Sequence, residues 1–114
     1  EPMNAISAAA DMLALDHRFY LFHDIETGVD AVVYHRDDGR LAIIQPRDVP
    51  VPDGEHDIPR ELSRYSEPLD EQTAIEEMDA LNHRFLYFTN AATGRGNVLY
   101  LRYDGHYGLI EPAD

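Results

Sequence analysis

The side chains of this 114-residue chain that could do chemistry are six histidines, 22 carboxylates and nine arginines, with no cysteine. His17 and His83 are the first pair to weigh, because each directly follows a helix-like stretch at the same place in two similar segments. Such an imidazole could act as a general base or metal ligand, and it could equally cap helix carbonyls or pack where a strand begins. His23, His35, His56 and His106 do not recur. There is no His-x-x-x-His pair, phosphate-cradling glycine loop or nucleophile elbow, and Gly94-Arg95-Gly96 is too short to be more than a turn. Paired acid/base work needs one carboxyl with a raised pKa in a buried cleft, and no spacing here isolates such a pair. Without a thiol, cysteine nucleophiles, Zn–Cys sites and redox couples are excluded. The chain reads as no enzyme, with no catalytic residue, metal or cofactor expected. Arg36 and Arg102 recur beside a turn, where they are either solvated, paired with Asp38 and Asp104, or placed at a contact between modules.

Charge narrows the function further. The formal charge is 9 − 22 = −13, and every cation is an arginine, scattered singly. A surface this acidic repels phosphate backbones instead of releasing their counterions, so direct DNA or RNA binding is not expected. At 44% apolar and 27% charged residues the composition is that of a compact soluble domain. No apolar run approaches the roughly 20 residues that span a bilayer, and no leader-like segment opens the sequence, so no membrane partner is expected and the location expected is cytoplasmic. The sequence opens at Glu1 instead of an initiator Met, as a piece of something longer would.

The elements that position these residues come in two copies. Shifting the sequence by 66 places residues 1–46 on residues 67–112 without a gap, and 19 of the 46 positions are identical. The expected organisation is a first module over 1–46, a proline-rich connector over 47–66 and a second module over 67–114. Pro50, Pro52, Pro59 and Gly54 make the connector extended and semi-rigid. Each module opens on an N-cap candidate, Asn4 or Asp70, and continues as an amphipathic helix with an apolar stripe. The stripe is Ala8, Ala9, Met12 and Leu15 in one copy, and Ala74, Ile75, Met78 and Leu81 in the other. An aromatic-rich strand over 18–24 or 84–90 and a second strand over 29–36 or 95–103 flank a Thr-Gly turn, and Asp38-Gly39 or Asp104-Gly105, expected as type I′ turns, leads to a third strand over 41–45 or 107–111. A further strand is expected over 61–66, ahead of the second helix. The fold class is α+β: each module has one helix and a three- to four-stranded antiparallel sheet.

One helix covers only one face of a sheet, yet apolar residues fall on both parities of these strands. Phe19, Leu21, Val32 and Tyr34 can face one way, with Tyr20, Phe22, Ala31 and Val33 facing the other. If paired residue numbers across the first hairpin sum to about 53, Phe19 lies opposite Tyr34, and Phe85 lies opposite Tyr100. A 46-residue unit is near the roughly 40-residue floor for independent stability, so the second face is expected to be covered by another copy. The expected contact is made by Phe19, Leu21, Val32 and Tyr34 with Phe85, Tyr87, Val98 and Tyr100, the sheets packing face to face as a pseudo-dimer.

The residues carry a resemblance. The run from Met78 through His83-Arg84-Phe85 to Thr93-Gly94, then Asn97-Val98-Leu99-Tyr100, and Asp104-Gly105-His106-Tyr107-Gly108-Leu109-Ile110-Glu111-Pro112 closely resembles the C-terminal domain of long-form ribosome hibernation promoting factors, the sigma-54 modulation protein C-terminal domain. The first copy matches through Asp16-His17-Arg18-Phe19, Glu26-Thr27-Gly28, Val32-Val33-Tyr34 and Asp38-Gly39, with Leu41-Ala42-Ile43-Ile44-Gln45 replacing the usual Tyr-Gly-Leu-Ile-Glu. The resemblance implies a non-catalytic association module. In the family an N-terminal domain occupies the small ribosomal subunit, and the C-terminal domain dimerises to join two idle ribosomes. Its dimer face is built on an aromatic after the Leu-x-His step and a tyrosine of the second strand, which fall on Phe19 and Tyr34, and on Phe85 and Tyr100. The expected partners are the ribosome, through an N-terminal domain absent from this chain and through ribosomal proteins, and a second module within or between chains.

Two modules in tandem depart from the single domain of the usual long factor. A connector of about 20 residues lets one copy pack on the other and use up the dimer face. The tandem thus resembles that of dormancy-associated hibernation factors, which silence single ribosomes. The alternatives are an intermolecular dimerisation module that pairs ribosomes, and a protein-binding regulatory adaptor.

Overall fold

The computed structural model describes residues 1–53 and 58–113; Gly54 and His56 of the connector lie outside the described residues. Both helices start where the sequence supplies a cap. Asn4 Oδ1 accepts from the Ser7 amide at 2.8 Å and Asp70 Oδ1 from the Thr73 amide at 2.7 Å, each satisfying a helix-start donor. From these caps run α1 (Ala5–Ala14) and α2 (Glu71–Leu81). They end alike, with Asp16 and Asn82 at φ of 57° and 55° and the backbone amides of His17 and His83 bonded back to the Met12 and Met78 carbonyls. That wrap is a left-handed C-terminal cap, so the two recurring histidines stand where the backbone closes a helix.

The stripe of α1 buries Ala5, Ala8, Ala9 and Met12, and α2 buries Ala74 and Met78. Leu15, expected on that stripe, is 54% exposed. It closes α1 as the C-cap, right-handed and with its amide bonded to the Asp11 carbonyl at 3.0 Å, but its side chain stays in solvent. Leu81 is still inside α2 and packs on its core.

The first sheet joins β1 (Pro2–Met3), β2 (Phe19–Asp24), β3 (Asp30–His35), β4 (Leu41–Gln45) and β5 (Arg60–Leu62) in that spatial order. The second joins β6 (Phe85–Thr89), β7 (Gly96–Leu101) and β8 (Tyr107–Ile110). Both hairpins take the register that pairs Phe19 with Tyr34 and Phe85 with Tyr100. The second turns differ from the type I′ geometry expected of Asp-Gly. Gly39 and Gly105 have φ of 83°, but Asp38 and Asp104 are not positive, and the glycine amides bond Arg36 and Arg102 carbonyls. These are three-residue loops with glycine in the left-handed position, a geometry that needs positive φ at only one residue.

The strand ahead of α2 is Arg60–Leu62, and it joins the first sheet, parallel to β4 with Ile43 opposite Arg60. With β1 parallel to β2 on the other edge, an antiparallel meander is flanked by parallel strands on both sides. Arg60 explains why β5 belongs there. From the β5 edge its guanidinium reaches Asp24 on β2 at 2.7 Å, Gln45 at 3.2 Å and Glu26 at 3.3 Å. Arg60 is 4% exposed and Asp24 fully buried. In the second copy Asn90 takes the place of Asp24 and donates to Asn97 Oδ1 at 2.8 Å, a neutral pair where the first copy has a charged one.

Removing one partner of a buried ion pair strands the other charge, which costs roughly 3–5 kcal/mol. Arg60→Ala is therefore expected to lower unfolding free energy by about that much in denaturant melts, with Asp24→Asn/Arg60→Met recovering most of it. A loss below about 1 kcal/mol for Arg60→Ala would show that Asp24 does not depend on it.

Candidate functional site at the contact between the copies

Strand parity decides which side chains meet. Phe22, Ala31, Val33 and Ile43 lie under α1, while Leu86, Phe88 and Leu99 lie under α2. The opposite parity forms a third apolar cluster between the sheets: Val32, Tyr87 and Val98 are buried, with Phe19, Leu21, Ile44, Phe85 and Ile110 packed around them. Phe19 stacks on Phe85, ring centroids 5.2 Å apart and planes 22° from parallel. The flanking contacts are reciprocal: Tyr34 meets Phe85 edge-on at 5.2 Å, and Tyr100 meets Phe19 at 5.8 Å. Such aromatic pairs add about 0.5–1.5 kcal/mol beyond the area they bury.

The eight side chains expected at this contact are thus brought together, Tyr34 and Tyr100 through their rings. Ile44 and Ile110, identical in the two copies, join them although the sequence reading did not single them out. The two tyrosines are supported differently. Tyr34 donates to Glu61 of β5 at 2.6 Å, and burial followed by that bond pushes its hydroxyl well above the usual tyrosine range. Tyr100 instead lies over Gly108, where an added Cβ would collide with its ring.

At the far end of the contact sits a buried charge that the sequence reading missed. Asp30, 5% exposed, accepts from Arg95 Nε at 2.9 Å, from Arg95 Nη2 at 3.1 Å and from the Gly96 amide at 2.8 Å, all on the second copy. His23 Nδ1 lies 3.1 Å from the same carboxylate, and Tyr87 Oη donates to the Asp30 carbonyl at 2.7 Å. Burial pushes this carboxyl upward, but the bonds from Arg95, Gly96 and His23 outweigh it and hold it below the usual carboxylate range. Neither Asp30 nor Gly96 is conspicuous alone. The available signal was their equivalence at an offset of 66 with a carboxylate in one copy and no side chain in the other.

An open groove of about 1440 Å³ runs along the other end of the contact, lined among others by Arg18, Tyr34, Arg36, Arg84, Tyr100 and Arg102. Arg36 lies 3.6 Å from Asp38 and 3.8 Å from Glu61, and Arg102 lies 3.9 Å from Asp104. These recurring arginines are both ion-paired and beside the contact. Among the described residues, no group of three or more histidines and carboxylates is placed to hold a metal. Among the described residues, no helix is long and apolar enough to cross a membrane. The arrangement is suited to association, with apolar area at its centre and directional polar bonds at one end.

Because the folded pKa of Asp30 lies below its unfolded value near 3.8, its stabilisation is complete above that pH and is lost as pH falls through the folded value. Acid titration of stability should therefore steepen below about pH 4, and Asp30→Asn should flatten that part of the curve. Identical acid limbs in the two proteins would show that the carboxylate contributes nothing.

Against this geometry, comparison with known proteins is informative. The family described as Sigma 54 modulation/S30EA ribosomal protein C terminus matches residues 1–43 and 53–109, both copies. A dormancy associated translation inhibitor of Mycobacterium tuberculosis is 39% identical across 98% of this chain and 43% of its own length. Ribosome hibernation promotion factors of Bacillus subtilis and Lactococcus lactis are 48% and 44% identical over 51% and 48% of this chain, and 31% and 30% of their own lengths. The chain spans less than half the length of these relatives. With its two modules matched in turn, it belongs to the family of the sigma 54 modulation/S30EA ribosomal protein C terminus.

Proposed function

We propose that this tandem is the association domain of a ribosome hibernation factor, non-catalytic, and that it turns its association face inward so that idle ribosomes are held singly. The observation that carries this reading is the stacking of Phe19 on Phe85 with the reciprocal tyrosine contacts, since each aromatic face is already occupied by the other. The names of the relatives, a dormancy associated translation inhibitor and hibernation promotion factors, supply the biological setting. Effective concentration points the same way. A short tether supplies roughly millimolar local partner, which a free second chain does not match in a cell. Ribosome contact by so acidic a domain is made through basic ribosomal proteins and weakens with salt.

The test is sedimentation of purified ribosomes mixed with the chain. It should travel with single ribosomes at low salt and leave them at high salt, without a faster ribosome-pair peak. A pair peak that grows with added chain would transfer the function to ribosome pairing. A chain that stays at the top of a low-salt gradient would contradict ribosome contact by this domain and favour a role as adaptor for another protein.

A further inference from the structure

Position 30 of the first copy and position 96 of the second are equivalent, and they face each other across the contact. A Cβ added to Gly96 would lie 2.7 Å from Asp30 Cβ and 3.0 Å from the Tyr87 hydroxyl. The two copies therefore approach so closely here that only one of them can carry a side chain. Phe19 and Phe85, also equivalent, meet in the same way, so the contact has an approximate two-fold axis along which each residue confronts its own counterpart. At 19 and 85 the counterparts are alike. At 30 and 96 they are aspartate and glycine, and the preceding residues, Val29 and Arg95, differ as well.

We propose that Asp30 and Gly96 form a pairing key: the face of the first module accepts a second module and rejects a second copy of itself. This rests on the reading of the aromatic faces as the association surface, but it holds whether the pair forms within one chain or between two. If two first modules met, Asp30 would confront another Asp30 at a spacing that leaves no room for either side chain. Two like charges would share a dry site without Arg95, whose equivalent in the first copy is Val29. If two second modules met, a gap would stand where the Asp30 side chain fits, and both Arg95 side chains would lose the carboxylate they bond here. The two Arg95 bonds and the close approach favour first against second. Repulsion in the wrong pairing complements attraction in the right one, as specific interfaces require.

The test uses two full-chain variants. Gly96→Asp gives a chain with aspartate on both faces, and Asp30→Gly gives one with glycine on both. Each alone should melt below the parent, Gly96→Asp by more than about 10 °C. Mixed in equal amounts, each offers the other an aspartate face for its glycine faces. The mixture should then form a species of twice the 13.0 kDa chain mass that contains both variants and melts above either alone. A mixture that scatters and melts as the sum of its components would overturn the key, as would a Gly96→Asp chain that melts like the parent. A parent chain that is itself a module-exchanged dimer would overturn the internal arrangement and leave the key standing.

Discussion

A sheet has two faces, and a helix of ten or eleven residues covers one of them. That constraint governs the rest of the molecule. The strands carry apolar side chains on both parities, so the face away from the helix presents Phe19, Leu21, Val32 and Ile44 in one copy and Phe85, Tyr87, Val98 and Ile110 in the other. Left in water, that apolar surface would cost about 25 cal/mol for each Å² and would leave each module near the size at which a single core fails. Folding of the module and association of the module are therefore one problem, and in this chain each copy supplies the other's missing cover.

Duplication alone would give a symmetrical solution, but the two copies have diverged where symmetry is least comfortable. Near the axis an aspartate faces a glycine, held by Arg95 from one side only. Beneath each sheet a buried polar position is satisfied by Arg60 with Asp24 in one copy and by Asn90 with Asn97 in the other. The connector follows this asymmetry. Its β5 strand completes the first sheet and brings Glu61 to the Tyr34 hydroxyl, whereas Tyr100 rests on Gly108 and asks nothing of the connector. A homodimeric module could not use such one-sided devices without applying them twice.

The repeat, both helix caps, both hairpin registers and the parity that separates core from contact could be read from residue type and spacing, because each depends on local chemistry or on a period of two along a strand. Identity between copies marked Phe19, Tyr34, Phe85 and Tyr100. It concealed Asp30 and Gly96, since a search for recurrence discards positions that differ. The parallel pairing of β5 was not legible because it depends on Arg60 reaching from the sheet edge to Asp24 on β2, a long-range contact that no local pattern announces. Leu15 stays in solvent while its equivalent Leu81 packs, although both helices close on the same left-handed residue, Asp16 or Asn82, so their different burial was not legible from the repeat.

The central claim is that the two modules satisfy each other within one chain. Solution mass measured by light scattering across a wide range of concentration tests it most directly. The account predicts a constant mass near 13.0 kDa. A mass that climbs toward twice that value with concentration would contradict it, because the aromatic faces would then be finding their partners in other chains.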